Sequence, residues 1–92
     1  MSDVKPWNEC NTKHDIEDRI FELIRLSYEA IKRNPASPPI TENITHDVGK
    51  KVMLFTGGKY FAGWMGGWVI KTSPLGFGVY KLWVEPEEAP HD

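Results

Sequence analysis

The chain has 92 residues and a formal net charge of −2, and 40% of its residues are hydrophobic, 12% aromatic and 26% charged. This length suits one compact domain and is too short for two separate cores. The composition excludes a disordered polar chain, and no stretch approaches the roughly 18 apolar residues that a membrane-spanning helix needs. We expect residues 1–92 to form one domain with no membrane partner.

Cysteine usage and the first residues predict the compartment. The single cysteine, Cys10, has no second cysteine with which to form an internal disulfide, so the chain does not have the framework of a small secreted domain. Acidic residues, from Asp3 to Asp18, stand where a signal peptide would carry a basic start and an apolar stretch. We therefore expect a cytoplasmic protein.

The charges are distributed unevenly along the chain. Residues 1–49 carry a net charge of −3, residues 50–84 contain five lysines and no acid, and residues 85–92 carry a net charge of −4. A basic module thus lies between acidic flanks. Because binding responds to the local field, this pattern says more about partners than the total charge does.

The first half of the chain predicts an arm followed by one amphipathic helix. Residues 1–11 have no helical period and form the arm, in which Trp7 is a candidate anchor onto the body of the protein. Within residues 12–34, Thr12 followed by Asp15 is typical of a helix N-terminus, and Asn34-Pro35 ends the pattern. The helical face between them, at about 13–33, consists of Ile16, Ile20, Leu23, Ile24, Ser27 and Ile31.

The second half predicts a sheet. Residues 35–49 contain three prolines and form a connecting loop, and residues 85–92 form an acidic tail. Within residues 50–84, two Gly-Gly pairs at 57–58 and 66–67 separate apolar and aromatic runs, as in two-residue hairpins, and residues 79–84 read as a fourth strand. The fold class is therefore α+β, with one N-terminal amphipathic helix packed on an antiparallel four-stranded β-meander.

Two-residue hairpins fix a strand register, in which Phe55 pairs with Tyr60 and Trp64 pairs with Val69. One sheet face is then apolar and accepts the helix; it holds Val52, Leu54, Phe61, Met65, Trp68 and Ile70. The opposite face carries the candidate partner-binding residues, which are Lys51, Met53, Phe55, Tyr60, Trp64, Val69 and Lys71. No second helix is predicted to cover them, so this face is the main functional candidate.

Catalytic and metal-binding constellations are not evident. His14, His46 and His91 are scattered over different segments, and Cys10 with His14 does not make the two ligand pairs of a zinc site. Residues 50–84 contain no acid to act as a general base. Residues 56–59, Thr-Gly-Gly-Lys, do not have the glycine spacing of a phosphate-binding loop. We expect no enzymatic activity, no catalytic residues, no metal and no cofactor.

Three hypotheses remain open for the face that carries the candidate partner-binding residues, which is aromatic and has lysines at its margin. An exposed patch of this composition is typical of a protein interface, and a two-fold homodimer would use the same surface. The alternative is single-stranded nucleic-acid binding, in which bases stack on the aromatic rings and lysines neutralise phosphates. In the third reading the aromatic residues are core, covered by the arm at Trp7 and the loop at Ile40.

The C-terminal half resembles a short uncharacterised domain of bacteriophage and prophage proteins. The resemblance covers residues 50–90 and rests on Val52-Met-Leu-Phe55, Tyr60-Phe-Ala-Gly-Trp64, Gly66-Gly-Trp68, Trp83 and the proline-rich acidic end at 85–90. That family carries a His-Trp-Met-Pro run where this chain has Lys81-Leu82-Trp83-Val84. The resemblance implies no activity. It implies a phage accessory protein, which we expect to inhibit a host machine such as a defence nuclease or a polymerase by occupying its surface.

Overall fold

The longest element is the helix α1, Lys13–Arg33, in a computed structural model that describes residues 4–87. At its start, the Thr12 side chain accepts a hydrogen bond from the Asp15 backbone N–H at 3.1 Å, which satisfies a free donor of the first turn. The buried stripe consists of Ile16, Ile20, Leu23, Ile24 and Ser27. The predicted helix is therefore confirmed, together with its N-cap.

A second helix, α2, spans His46–Thr56. The side chain of Thr45 accepts from the Val48 backbone N–H at 3.3 Å, and Gly57 ends the helix in the left-handed conformation at φ 70°, where its N–H bonds to the Met53 carbonyl. The prediction that residues 35–49 form only a loop and residues 51–56 a strand is wrong. The pair at 57–58 is a helix end instead of a hairpin turn.

The sheet has four strands, β1 (Glu42–Thr45), β2 (Lys59–Phe61), β3 (Gly67–Gly76) and β4 (Val79–Pro86). Their order is β1-β4-β3-β2, and every neighbouring pair is antiparallel. The predicted α+β class with a four-stranded antiparallel sheet is confirmed. The first strand, however, comes from the predicted proline-rich loop, and the predicted acidic tail begins inside β4, with residues 88–92 outside the described part.

The connection from β2 to β3 also differs from the predicted two-residue turn. Residues 62–66 form the connection and include a 3₁₀ turn at Gly63–Met65, so Val69 pairs with Lys59 instead of Trp64. The register is displaced by five residues. Because side chains alternate between faces, an odd displacement exchanges the two faces of β2 relative to β3. Tyr60 therefore points to the inner face beside Trp68, and Phe61 points outward.

Both helices pack against one face of the sheet. Its buried inward-facing residues are Ile44, Trp68, Ile70, Leu82 and Val84, and they form one core cluster with the buried residues of α1 and α2. Of the six residues predicted to accept the helix, Val52, Met65, Trp68 and Ile70 are buried. Leu54 and Phe61 are instead 77% and 73% exposed.

The N-terminal arm anchors on the edge of the sheet at β1. Trp7 is buried in the core cluster, and its indole N–H donates to the Glu42 carboxylate. Arg19 of α1 also donates to both oxygens of Glu42, at 3.0 and 2.9 Å, and its guanidinium lies 5.6 Å from the Trp7 ring centroid. The arm thus anchors as predicted. Trp7 and Ile40 pack against the core, so they do not cover the outer sheet face as one reading suggested.

The division between core and surface predicts that truncation of two leucines lowers the free energy of unfolding by very different amounts. Leu82→Ala should lower the free energy of unfolding by about 3 kcal/mol, because Leu82 is fully buried between the sheet and the helices. Leu54→Ala removes the same atoms from a side chain that is 77% exposed, and should change stability by less than about 0.5 kcal/mol. Urea unfolding followed by circular dichroism measures both values. Equal losses would contradict this division between core and surface.

Candidate protein-binding surface

The outer face of the sheet is built by the residues that alternate with the buried ones. No helix among residues 4–87 lies on it. We call it the open face; its side chains are Asn43, Thr45, Lys59, Phe61, Val69, Lys71, Ser73, Val79, Lys81, Trp83 and Glu85. The register places them in rows across the strands, so that Val69 stands between Lys59 and Glu85. The open face therefore combines apolar side chains with charges of both signs.

Trp83 is the largest side chain of the open face. It is half-buried, and its indole N–H donates to a Glu85 carboxylate oxygen at 2.8 Å. The Lys81 ammonium lies 5.7 Å from the ring centroid, a cation–π contact, and Lys71 stands opposite Trp83 on β3. These contacts favour one orientation of the indole and leave a flat apolar surface with charged neighbours.

The other end of the open face carries Phe61, which is 73% exposed. Beside it the side chain of Glu87 crosses over Gly67 to reach the Lys59 ammonium at 3.4 Å. A Cβ atom on Gly67 would lie 2.8 Å from a Glu87 carboxylate oxygen, so a larger residue there would displace the end of the Glu87 side chain. Together Lys59, Lys71 and Lys81 are largely balanced by Glu85 and Glu87. The open face is mixed in charge and not strongly basic.

The predicted site residues do not share one face. Val69 and Lys71 lie on the open face as expected. Met53 and Phe55 lie on α2, and with Tyr60 they are partly buried against the core. Lys51 also lies on α2, and its ammonium donates to the Asn11 side chain at 3.4 Å. Trp64 lies on the helix side, 77% exposed, with its ring edge-on to Tyr28 at 5.2 Å between centroids.

The lysines and aromatic residues of the open face that were not predicted as site residues are Lys59, Phe61, Lys81 and Trp83. The alternation in residues 79–84 contains the signal for two of them. If Leu82 and Val84 point into the core, Lys81 and Trp83 must point outward. For Lys59 and Phe61 the sequence contains no such signal, because their face depends on the register of β2.

The cysteine and histidine side chains of residues 4–87 do not gather into one catalytic or metal-binding site. Burial raises the pKa of the Cys10 thiol, and the nearby Asp15 carboxylate raises it further, which disfavours the nucleophilic thiolate. The exposed His14 pairs with Asp18 at 3.2 Å, whereas His46 lies against the Tyr80 ring. Within residues 4–87, no three His, Cys, Asp or Glu side chains gather as metal ligands would. His91 lies outside this range.

Comparison with protein-family models, with curated proteins and with solved structures finds no match to this chain. The resemblance to a phage domain therefore stays a prediction. Neither helix in the described part of the chain is long and apolar enough to cross a membrane. Function must accordingly be argued from the geometry of the surface.

The placement of Tyr60 on the inner face predicts an unusual titration. The pKa of Tyr60 is raised above its ordinary value of 10.0. Burial is the largest cause, and the negative charges of Glu17 and Asp18 on α1 raise the pKa further. Since the unfolded chain releases this proton at a lower pH, the contribution of Tyr60 to stability is present below about pH 10 and is lost as the pH rises through its folded pKa.

In an ultraviolet absorbance titration of the folded protein, the Tyr60 phenol should ionise at a higher pH than an ordinary tyrosine. Tyr60→Phe should remove this ionisation. The double variant Glu17→Gln, Asp18→Asn is the matched control, because it should move the same ionisation to lower pH without removing the phenol. An ionisation of Tyr60 at the ordinary pKa would place the ring outside and contradict the register of β2.

Proposed function

We propose that the protein is a non-enzymatic binding module that engages a partner protein through the open face. One observation carries the proposal: the open face, on which no helix of residues 4–87 lies, presents Phe61, Val69 and Trp83 between lysines and acids. Aromatic anchors within a charged rim are the composition of interface hot spots. The apolar side chains of this face are stabilised when a partner removes them from water.

The fixed orientation of Trp83 and the exposure of Phe61 support a role in protein binding. Trp83 is held by Glu85 and Lys81, so little side-chain freedom is lost when it becomes buried. Phe61 is 73% exposed, and full burial of such a side chain contributes roughly 2 kcal/mol. One ring is thus a pre-oriented anchor, and the other supplies most of the newly buried area.

The physiological role that we attach to this binding follows the resemblance described above. The module would occupy the surface of a larger host machine, such as a defence nuclease or a polymerase, and inhibit it in the cytoplasm. Balanced charges on the open face favour a partner whose own surface is mixed in charge, since a strongly charged partner would leave ions of one sign unpaired.

Single-stranded nucleic acid is the second candidate ligand of the open face. Two aromatic rings and three lysines on an exposed sheet are the elements of a stacking platform. The carboxylates of Glu85 and Glu87 disfavour nucleic-acid binding at this face. Glu87 neutralises Lys59, and Glu85 occupies the edge of Trp83, so a phosphate backbone along this face would pass both acids.

The proposal predicts that Trp83→Ala and Phe61→Ala each weaken binding to the partner at least tenfold, because hot-spot aromatics contribute about 2 kcal/mol or more. Leu54→Ala is the matched control, since Leu54 is equally exposed on a helix away from the open face. Proteins that bind the immobilised chain are quantified by mass spectrometry for wild type and all three variants. Melting temperatures of the Phe61 and Leu54 variants should stay within about 5 °C of wild type.

A partner lost by both open-face variants and retained by the control supports the proposal. If every captured protein is retained by the open-face variants, the proposed surface is wrong. A salt-sensitive quenching of Trp83 fluorescence by a single-stranded oligonucleotide, absent in Trp83→Phe, would favour the second candidate instead.

A further inference from the structure

A separate cleft lies on the helix side of the sheet, between the last turns of α1 and the 3₁₀ turn that carries Trp64. It encloses about 430 Å³ and is lined by Arg25, Tyr28, Glu29, Lys32, Arg33 and Trp64. Residues three, four, seven and eight positions apart fall on one side of a helix, so the five helical residues form one stripe that faces the indole. The cleft thus has an aromatic wall and a charged wall.

The position of Trp64 is fixed by the turn beneath it. Gly63 and Gly66 adopt positive φ values of 62° and 83°, and the Gly66 N–H bonds to the Gly63 carbonyl at 2.9 Å. Inside the turn Met65 is buried, and its carbonyl accepts from the Trp68 indole N–H at 3.0 Å. The turn is therefore anchored in the core, while the indole that it projects outward remains 77% exposed.

Two cations in the cleft have no carboxylate partner within residues 4–87. The third cation, Arg25, forms ion pairs with Glu22 at 2.5 Å and with Glu29 at 3.4 Å. The carboxylate of Glu29 is therefore already paired. The Lys32 ammonium lies over the Tyr28 ring, 5.7 Å from its centroid, and neither Lys32 nor Arg33 forms an ion pair in this part of the chain. The helix dipole accounts for cations at this end of α1, but it does not account for an exposed indole beside them.

We propose that this cleft binds a nucleoside phosphate, with the base stacked on Trp64 and the phosphate between Lys32 and Arg33. An indole offers a flat surface to any base, and two adjacent cations match the charge of a phosphate monoester. The Lys32 ammonium lies over the Tyr28 ring, and that ring contacts the Trp64 indole, so the cation and the stacking surface are neighbours in the cleft.

This inference does not rest on the proposed function, because the cleft and the open face lie on opposite sides of the sheet. The same chemistry is offered by a free nucleotide and by one nucleotide of a single strand. A single strand would contact the cleft through one base and its phosphate and continue beyond it, whereas a free nucleotide would be bound entirely within it.

The test is isothermal titration calorimetry of the full chain at low salt with adenosine 5′-monophosphate, adenosine and a short single-stranded oligodeoxyadenylate. Trp64→Leu, which keeps an apolar contact with Tyr28, should weaken binding of the nucleotide about tenfold or more. The double variant Lys32→Gln, Arg33→Gln should weaken binding of the nucleotide but leave that of adenosine unchanged, and should reduce the salt dependence. Lys50→Gln, Lys51→Gln on α2 removes the same charge elsewhere and should have no effect.

The proposal is overturned if the nucleotide does not bind at low salt, if Trp64→Leu binds it as wild type does, or if the α2 control weakens binding as much as the cleft variant. Equal affinities for the nucleotide and the oligonucleotide support a free nucleotide as the ligand. A tighter oligonucleotide complex that is equally sensitive to Trp64→Leu supports a single strand. Melting temperatures of all variants establish that the fold is retained.

Discussion

The long pairing of β3 with β4 is the constraint on which the rest of the structure depends. Its register places Trp68 and Ile70 of β3 on the same side as Leu82 and Val84 of β4, so the large buried apolar side chains of the hairpin share one face. Both helices pack on that face because burial of its apolar side chains removes them from water, and these side chains form one core cluster with those of α1 and α2. The alternating residues, among them Trp83, point to the opposite side of the sheet, where neither α1 nor α2 lies.

The short strand β2 then decides which aromatic side chains enter the core. Its pairing with β3 turns Tyr60 toward α1 and Phe61 toward the open face. A displacement by a single residue would exchange these roles, with a polar hydroxyl outside and a phenylalanine buried beneath the helix. The five-residue connection that follows β2 fixes this register, and it also projects Trp64 away from the core.

Two regions of the surface therefore acquire aromatic side chains for different reasons. On the open face Phe61 is exposed and Trp83 is half-buried because neither α1 nor α2 lies on this side of the sheet, and their charged neighbours belong to the same strands. In the cleft Trp64 is exposed because a glycine-flanked turn directs it outward, and its charged neighbours belong to α1. The balanced charges of the first surface suit a protein, whereas Lys32 and Arg33 in the second, which have no carboxylate partner among residues 4–87, suit a phosphate.

Local signals in the sequence determined α1, the fold class and the last strand. The apolar stripe from Ile16 to Ser27 has one period that only a helix satisfies, and Thr12 marks its start. The same reasoning was wrong for residues 46–56, where Val52 to Phe55 is too short to distinguish a helix from a buried strand. There the N-cap at Thr45 and the left-handed Gly57 favour the helix.

Of the candidate site, the sequence by itself determined that Val69 and Lys71 point away from the helices, whereas the aromatic residues that it predicted beside them lie elsewhere. Only the tertiary structure decided that Phe61 and Trp83 belong to this face, while Tyr60 and Phe55 pack against the core. The physical reason is that alternation along one strand is a local property. The face that a strand presents depends on its register with a partner, which long-range packing selects.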